Sequence, residues 1–206
     1  MRSVALLAIL LLLPGVAPAK DNPAGAHHFL PDLTDVESLQ RGARIFVNYC
    51  MGCHSASYMR YNRLGTDLDM PEETLKSNFM FGTKKTGATM DIAMKGVDGE
   101  RFFGVAPPDL SVIARARSAD WLYGYFLTFY RDPSRPSGVN NLVFKDVAMP
   151  HVLWELQGYL KPVYQESRMA GGATSSVIES LEQDTPGTMS AEEYRRTIGE
   201  IGRAHV

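Results

Sequence analysis

Both cysteines of this 206-residue chain fall within five residues, Cys50-Met51-Gly52-Cys53-His54, and no other feature restricts the fold as strongly. Two thiols one helical turn apart, followed at once by an imidazole, form the pattern that attaches a haem covalently. Each thiol adds across one vinyl group, and the histidine is held beneath the iron as an axial ligand. Three other uses of two thiols compete with this reading. A thioredoxin-like redox pair leaves His54 without a role and expects a βαβ context that the sequence lacks. A tetrahedral zinc site needs further ligands at matching spacing, and there is no third cysteine. A disulfide across three residues closes too small a loop to staple a domain.

The N-terminus agrees with covalent haem, which bacteria attach on the exported side of the membrane. Arg2 supplies a positive start, Val4 to Leu13 is an unbroken apolar run, and Ala17-Pro18-Ala19 is a small-residue cleavage site. Residues 1–19 therefore read as a secretory signal peptide, with the mature chain starting near Lys20. The remainder suits one domain. A formal charge of −2 gives no basic signature for nucleic acid. Eighteen glycines and twelve prolines point to long ordered loops. After the leader no segment reaches the ~18 apolar residues of a membrane span; the longest apolar-aromatic run, Trp121 to Tyr130, is interrupted and short.

Periodicity predicts a mainly α chain. Asp35 caps a helix over Glu37–Tyr49 that buries Leu39, Ala43, Phe46 and Val47 and delivers the Cys50–His54 motif. A short helix begins around Asp69 and Pro71 and ends near Phe79. Residues 82–106, rich in glycine, read as a long surface loop. Asp109 caps a helix from Leu110 to about Ala116, and Ser118 caps another over Ala119–Tyr130. A short helix follows Pro150, around Val152 to Gly158, and Gly171-Gly172 opens a loop. There is little strand signal beyond Val177–Leu181. Ser190 and Glu193 form a capping box for a last helix.

An iron bound by His54 needs a second axial ligand for electron transfer, whereas an open position favours small-molecule binding or activation. The other histidines are His27, His28, His151 and His205. Among ten methionines, Met149 is the best candidate, because it follows the Asn140–Asp146 loop and precedes Pro150, which restrains the backbone. Met90 and Met94 are weaker alternatives, and Met149 could equally pack in the core beside Trp154.

Three motifs in order, Cys50–His54, Pro107-Pro108-Asp109-Leu110-Ser111 and Met149-Pro150-His151-Val152-Leu153-Trp154-Glu155-Leu156-Gln157-Gly158, closely resemble the bacterial cytochrome c1 family over roughly Asp32 to Tyr194. These are the c-type haem subunits of quinol–cytochrome c reductase, the cytochrome bc1 complex. The resemblance implies a cytochrome c-like fold with long loops around one haem c, bonded through Cys50 and Cys53 and ligated by His54 and Met149. It places Pro107 and Pro108 in the pocket wall, Arg117 near a haem propionate and Trp121 near the haem. It implies a one-electron carrier rather than an enzyme in its own right, at the periplasmic face of the inner membrane. The donor would be the Rieske iron–sulfur protein, the neighbour cytochrome b and the acceptor a soluble cytochrome c. Glu179, Glu182 and Asp184 could help dock a basic cytochrome c, or could equally form a merely solvated acidic face. A free periplasmic c-type cytochrome, an open-site haem sensor or enzyme, and a thiol redox protein are the competing functions.

The family also implies a longer last helix and a C-terminal membrane anchor. Here the helical pattern breaks near Thr197, and the final Glu200-Ile201-Gly202-Arg203-Ala204-His205-Val206 resembles the in-frame translation of a common sequencing adapter. The expectation is a haem domain over residues 20–199 with an incomplete terminal helix, followed by an artefactual tail that supplies no ligand.

Overall fold

The computed structural model describes residues 29–168 and 174–204. The leader, His27, His28, Gly171-Gly172 and His205 lie outside them. Helix α1 (Val36–Ile45) starts as the sequence predicts, with the Asp35 carboxylate accepting a hydrogen bond from Ser38 N at 3.0 Å. Its last turn differs. Phe46–Cys50 is wound as a π-helix, closed by Met51 N donating to Phe46 O at 3.2 Å, a widening that recurs at functional sites. Ala43, Phe46, Val47 and Cys50 are buried, while Arg41, Arg44 and Asn48 face solvent.

Strand β1 (Ala56–Arg60) follows, then α2 (Tyr61–Asp67) and α3 (Glu72–Asn78), the latter with Glu72 and Glu73 complementing its N-terminal dipole. The stretch 82–106 is not one loop. Its first part forms β2 (Thr89–Met90), antiparallel to β1, and its second forms α4 (Gly96–Phe103). The sequence conceals α4 because its buried residue is Gly99, which has no apolar side chain to show a stripe. A Cβ there would run into Pro107, so glycine lets the helix lie flush on the proline segment.

Helix α5 (Ile113–Arg117) begins later than expected, since Asp109 spends its carboxylate on Ser57 and Ser111 instead of a helix cap. Helix α6 (Ala119–Leu127) is capped by Ser118, whose Oγ accepts from Trp121 N. It stops short of the expected Tyr130 because Phe129–Arg131 leaves to form β3, paired antiparallel with β4 (Val139–Asn141). Helix α7 is only Trp154–Gln157.

The largest departure is a two-stranded antiparallel ribbon, β5 (Gly158–Arg168) with β6 (Thr174–Pro186). Two register shifts, at Tyr159/Leu160 and Val163/Tyr164, break the alternation by which a strand is recognised. Pro162 hides it further, and is tolerated because a two-stranded ribbon leaves each strand one open edge. At its root Gly158 has φ +81°, and a Cβ there would overlap the carbonyl oxygen of Thr185.

Helix α8 (Ala191–Ala204) has the expected capping box, with Glu193 N donating to Ser190 Oγ at 3.3 Å and Ser190 N to Glu193 Oε2 at 2.8 Å. It does not break at Thr197. Tyr194, Ile198 and Ile201 are buried against Leu153, with Ile45 and Tyr49 of the first helical segment packed alongside. The first helix is therefore covered within this chain. Despite its ribbon, the chain is mainly α, in keeping with a cytochrome c-like domain. Among the described residues no helix is long and apolar enough to cross a membrane.

Gly158→Ala is expected to lower stability by about 3 kcal/mol, combining a strained backbone with the Thr185 overlap. A shift of the denaturation midpoint at unchanged m-value checks this.

Candidate functional site

The motif residues are set by a tight turn, in which Cys53 N and His54 N both donate to Cys50 O at 3.0 and 2.9 Å. Cys50 is buried in the core packed on α1, and Cys53 is half-buried. Burial, with Cys53 nearby, pushes the Cys50 thiol up to about 12. A redox-active pair needs the opposite shift, whereas an uncharged thioether suits an apolar site. Among the described residues no group of three or more His, Cys, Asp or Glu side chains can hold a metal ion, which leaves the zinc alternative without ligands there.

His54 is 9% exposed, and its Nδ1 lies 2.7 Å from the carbonyl oxygen of Pro108. That oxygen only accepts, so Nδ1 carries the proton and Nε2 keeps its lone pair. The Pro107–Ser111 segment is laced onto the chain that follows His54. Leu110 N donates to Ser55 O at 2.8 Å, Ser57 N to Asp109 Oδ2 at 2.9 Å, and Tyr58 N to Ser111 Oγ at 3.1 Å. Burial, the largest single influence on Asp109, pushes its carboxyl up. The hydrogen bonds from Ser111 and Ser57 together outweigh it and hold the group at about 2.

Beside His54 lies an apolar cavity of about 360 Å³. Cys50, His54, Pro108, Leu110, Arg117, Trp121, Tyr125 and Met149 are among its lining residues. A smaller chamber shares Cys50, His54, Pro108 and Met149 with it and adds Cys53 and Pro107. The two chambers thus bring together all eight residues that the resemblance set around a haem, Trp121 included. Arg117 sits at the exposed side, its guanidinium 5.1 Å from the Trp121 ring centroid and 5.8 Å from that of Phe144. Met90 is 2% exposed in the core beside β1, and neither it nor Met94 lines the cavity. His151 also stays outside it, stacked on Phe129 at 4.9 Å, and burial pushes it down to about 4. A larger open cleft, lined by Arg41, Arg44 and Arg196 among others, offers no thiol or imidazole.

Sequence reasoning missed Tyr125 and Phe144. The i, i+4 spacing of Trp121 and Tyr125 on α6 is the signal that could have found the first. Two thiols, an imidazole with a free Nε2, a thioether and an apolar lining fit a covalently held haem.

The fold and this donor set define a c-type haem protein. The Cytochrome C1 family profile matches residues 26–160. Cytochrome c1 of Allochromatium vinosum is 43% identical over 201 residues, covering 98% of this chain and 82% of that protein. A Nitrosomonas europaea protein named ammonia monooxygenase gamma subunit is 46% identical over 198 residues, covering 95% of this chain and 78% of its own. The chain belongs to the cytochrome c1 family. It carries one covalent haem c and serves as the electron-carrying subunit of the cytochrome bc1 complex.

The Asp109 carboxyl sits below its unfolded value of about 3.9, so its contribution to stability is complete above about pH 4. It is lost as pH falls through about 2. Asp109→Asn is expected to flatten that part of the stability–pH curve while leaving neutral-pH folding intact, as acid unfolding followed by circular dichroism would check.

Proposed function

We propose that Cys50 and Cys53 would bond the haem, that His54 and Met149 would hold its iron, and that the subunit takes one electron from the Rieske iron–sulfur protein and gives it to a soluble cytochrome c. One observation carries the reading: the Pro108 carbonyl fixes the His54 tautomer, leaving Nε2 free in the same apolar cavity that Met149 lines. When bound, the haem supplies a one-electron Fe(III)/Fe(II) couple. The residues do the rest. His54 is held by its second nitrogen, so its ligating nitrogen keeps its orientation through oxidation and reduction. The Met149 thioether favours the ferrous state and raises the potential relative to a second imidazole, and the dry lining disfavours the extra ferric charge. Pro107 and Pro108 wall the pocket and exclude water. Arg117, stacked on Trp121 at the exposed side, is placed to meet a propionate.

Of the acidic residues offered for docking a basic cytochrome c, Asp184 pairs with Arg131 at 2.6 Å and Glu182 lies 4.0 Å from Lys161. Glu179 is exposed and has the freer charge. Docking of this kind contributes rate more than affinity. We infer from the leader-like N-terminus and the family that the subunit works at the periplasmic face of the bacterial inner membrane, beside cytochrome b.

Expression with periplasmic haem-attachment machinery should give covalent low-spin haem with a methionine–iron absorption band. Met149→Leu should keep the covalent haem, abolish the band and lower the potential by on the order of 100 mV. Cys50→Ser with Cys53→Ser should abolish attachment. Covalent haem without the band in the unsubstituted chain overturns the assignment of Met149. Co-purification with cytochrome b and the Rieske protein separates the complex subunit from a free periplasmic carrier.

A further inference from the structure

Packing is not all that holds the Met149 thioether. The Tyr125 hydroxyl lies 3.4 Å from Met149 Sδ, and since a thioether has no proton, the phenol is the donor. Tyr125 is 7% exposed, and among the described residues its hydroxyl has no other hydrogen-bond partner. Its ring cannot swing away. Trp121 stacks on it at 4.9 Å and 11°, while Phe129 and Phe126 meet it edge-on at 5.0 and 5.5 Å.

The chain leading to Met149 is tied to the same residue. Buried Asn141 donates through Nδ2 to the Tyr125 carbonyl at 2.7 Å, and its Oδ1 accepts from Val143 N and Phe144 N at 2.9 and 3.0 Å. One asparagine thus fastens the chain leading to Met149 onto the backbone of the residue that contacts its sulfur.

We propose that Tyr125 is a positioning residue for electron transfer: by donating to Met149 Sδ it occupies one sulfur lone pair, leaves the other for the iron, and biases the couple toward the ferrous state. This rests on the reading of Met149 as an axial ligand. A proton shared with sulfur draws electron density from it. The ferric ion depends more on donated density than the ferrous ion does, so the hydrogen bond favours reduction.

The test is potentiometry and absorption spectroscopy of the haem-loaded protein. Tyr125→Phe keeps the ring and its stacking and removes only the donor. It should retain the methionine–iron band and weaken the preference for the ferrous state about fivefold, the effect of one ordinary hydrogen bond, which is a fall of about 40 mV at 59 mV per tenfold for one electron. Tyr159→Phe, in the same aromatic cluster, should leave the potential unchanged. In a Met149→Leu background the Tyr125→Phe effect should vanish. An unchanged potential in Tyr125→Phe with the band intact overturns the inference and leaves Met149 standing as ligand. An equal fall in the Met149→Leu background also overturns it, showing a general effect on the pocket. Absence of the band in the unsubstituted protein overturns both readings.

Discussion

The hydrogen bond from His54 Nδ1 to the Pro108 carbonyl organises this molecule. A peptide oxygen can only accept, so the contact decides which imidazole nitrogen is free, and it does so with a group that no side-chain substitution removes. Its worth depends on how firmly Pro108 is placed. The Asp109 and Ser111 side chains receive backbone N–H groups from Ser57 and Tyr58, and Leu110 reaches back to Ser55. Helix α4 backs the segment through Gly99, flush against Pro107. The stretch between the two motifs is scaffolding for one ring.

The thioether side is built differently. Where the imidazole is held by backbone and short polar side chains, Met149 is held by an aromatic cluster on α6 and β3, with Asn141 as its polar tie. The two sides meet in one cavity, yet they come from consecutive parts of the chain, roughly residues 46–117 and 118–152. Each can be disturbed separately, so a substitution on one side leaves the support of the other side chain in place.

Much of the cavity lining was legible because its signals are local. Cys50, Cys53 and His54 need only their spacing, and Met149 is marked by Pro150 and the motif after it. The capping residues Asp35, Ser118 and Ser190 were legible for the same reason, since each acts within three residues. What sequence left obscure depends on partners far along the chain. Helix α4 buries a glycine, β5 and β6 shift register twice, and Asp109 turns from a helix cap to a loop tie because Ser57 lies across from it. The continuation of α8 past Thr197 was hidden too, because its stripe of Tyr194, Ile198 and Ile201 is short and interrupted by glycine and charge.

The burial of Cys50 joins two parts of the molecule. It belongs to the core packed on α1, where ionisation of its thiol is disfavoured. The same residue lines the cavity beside His54. A change in how α1 packs is therefore felt in the pocket as well as in the core.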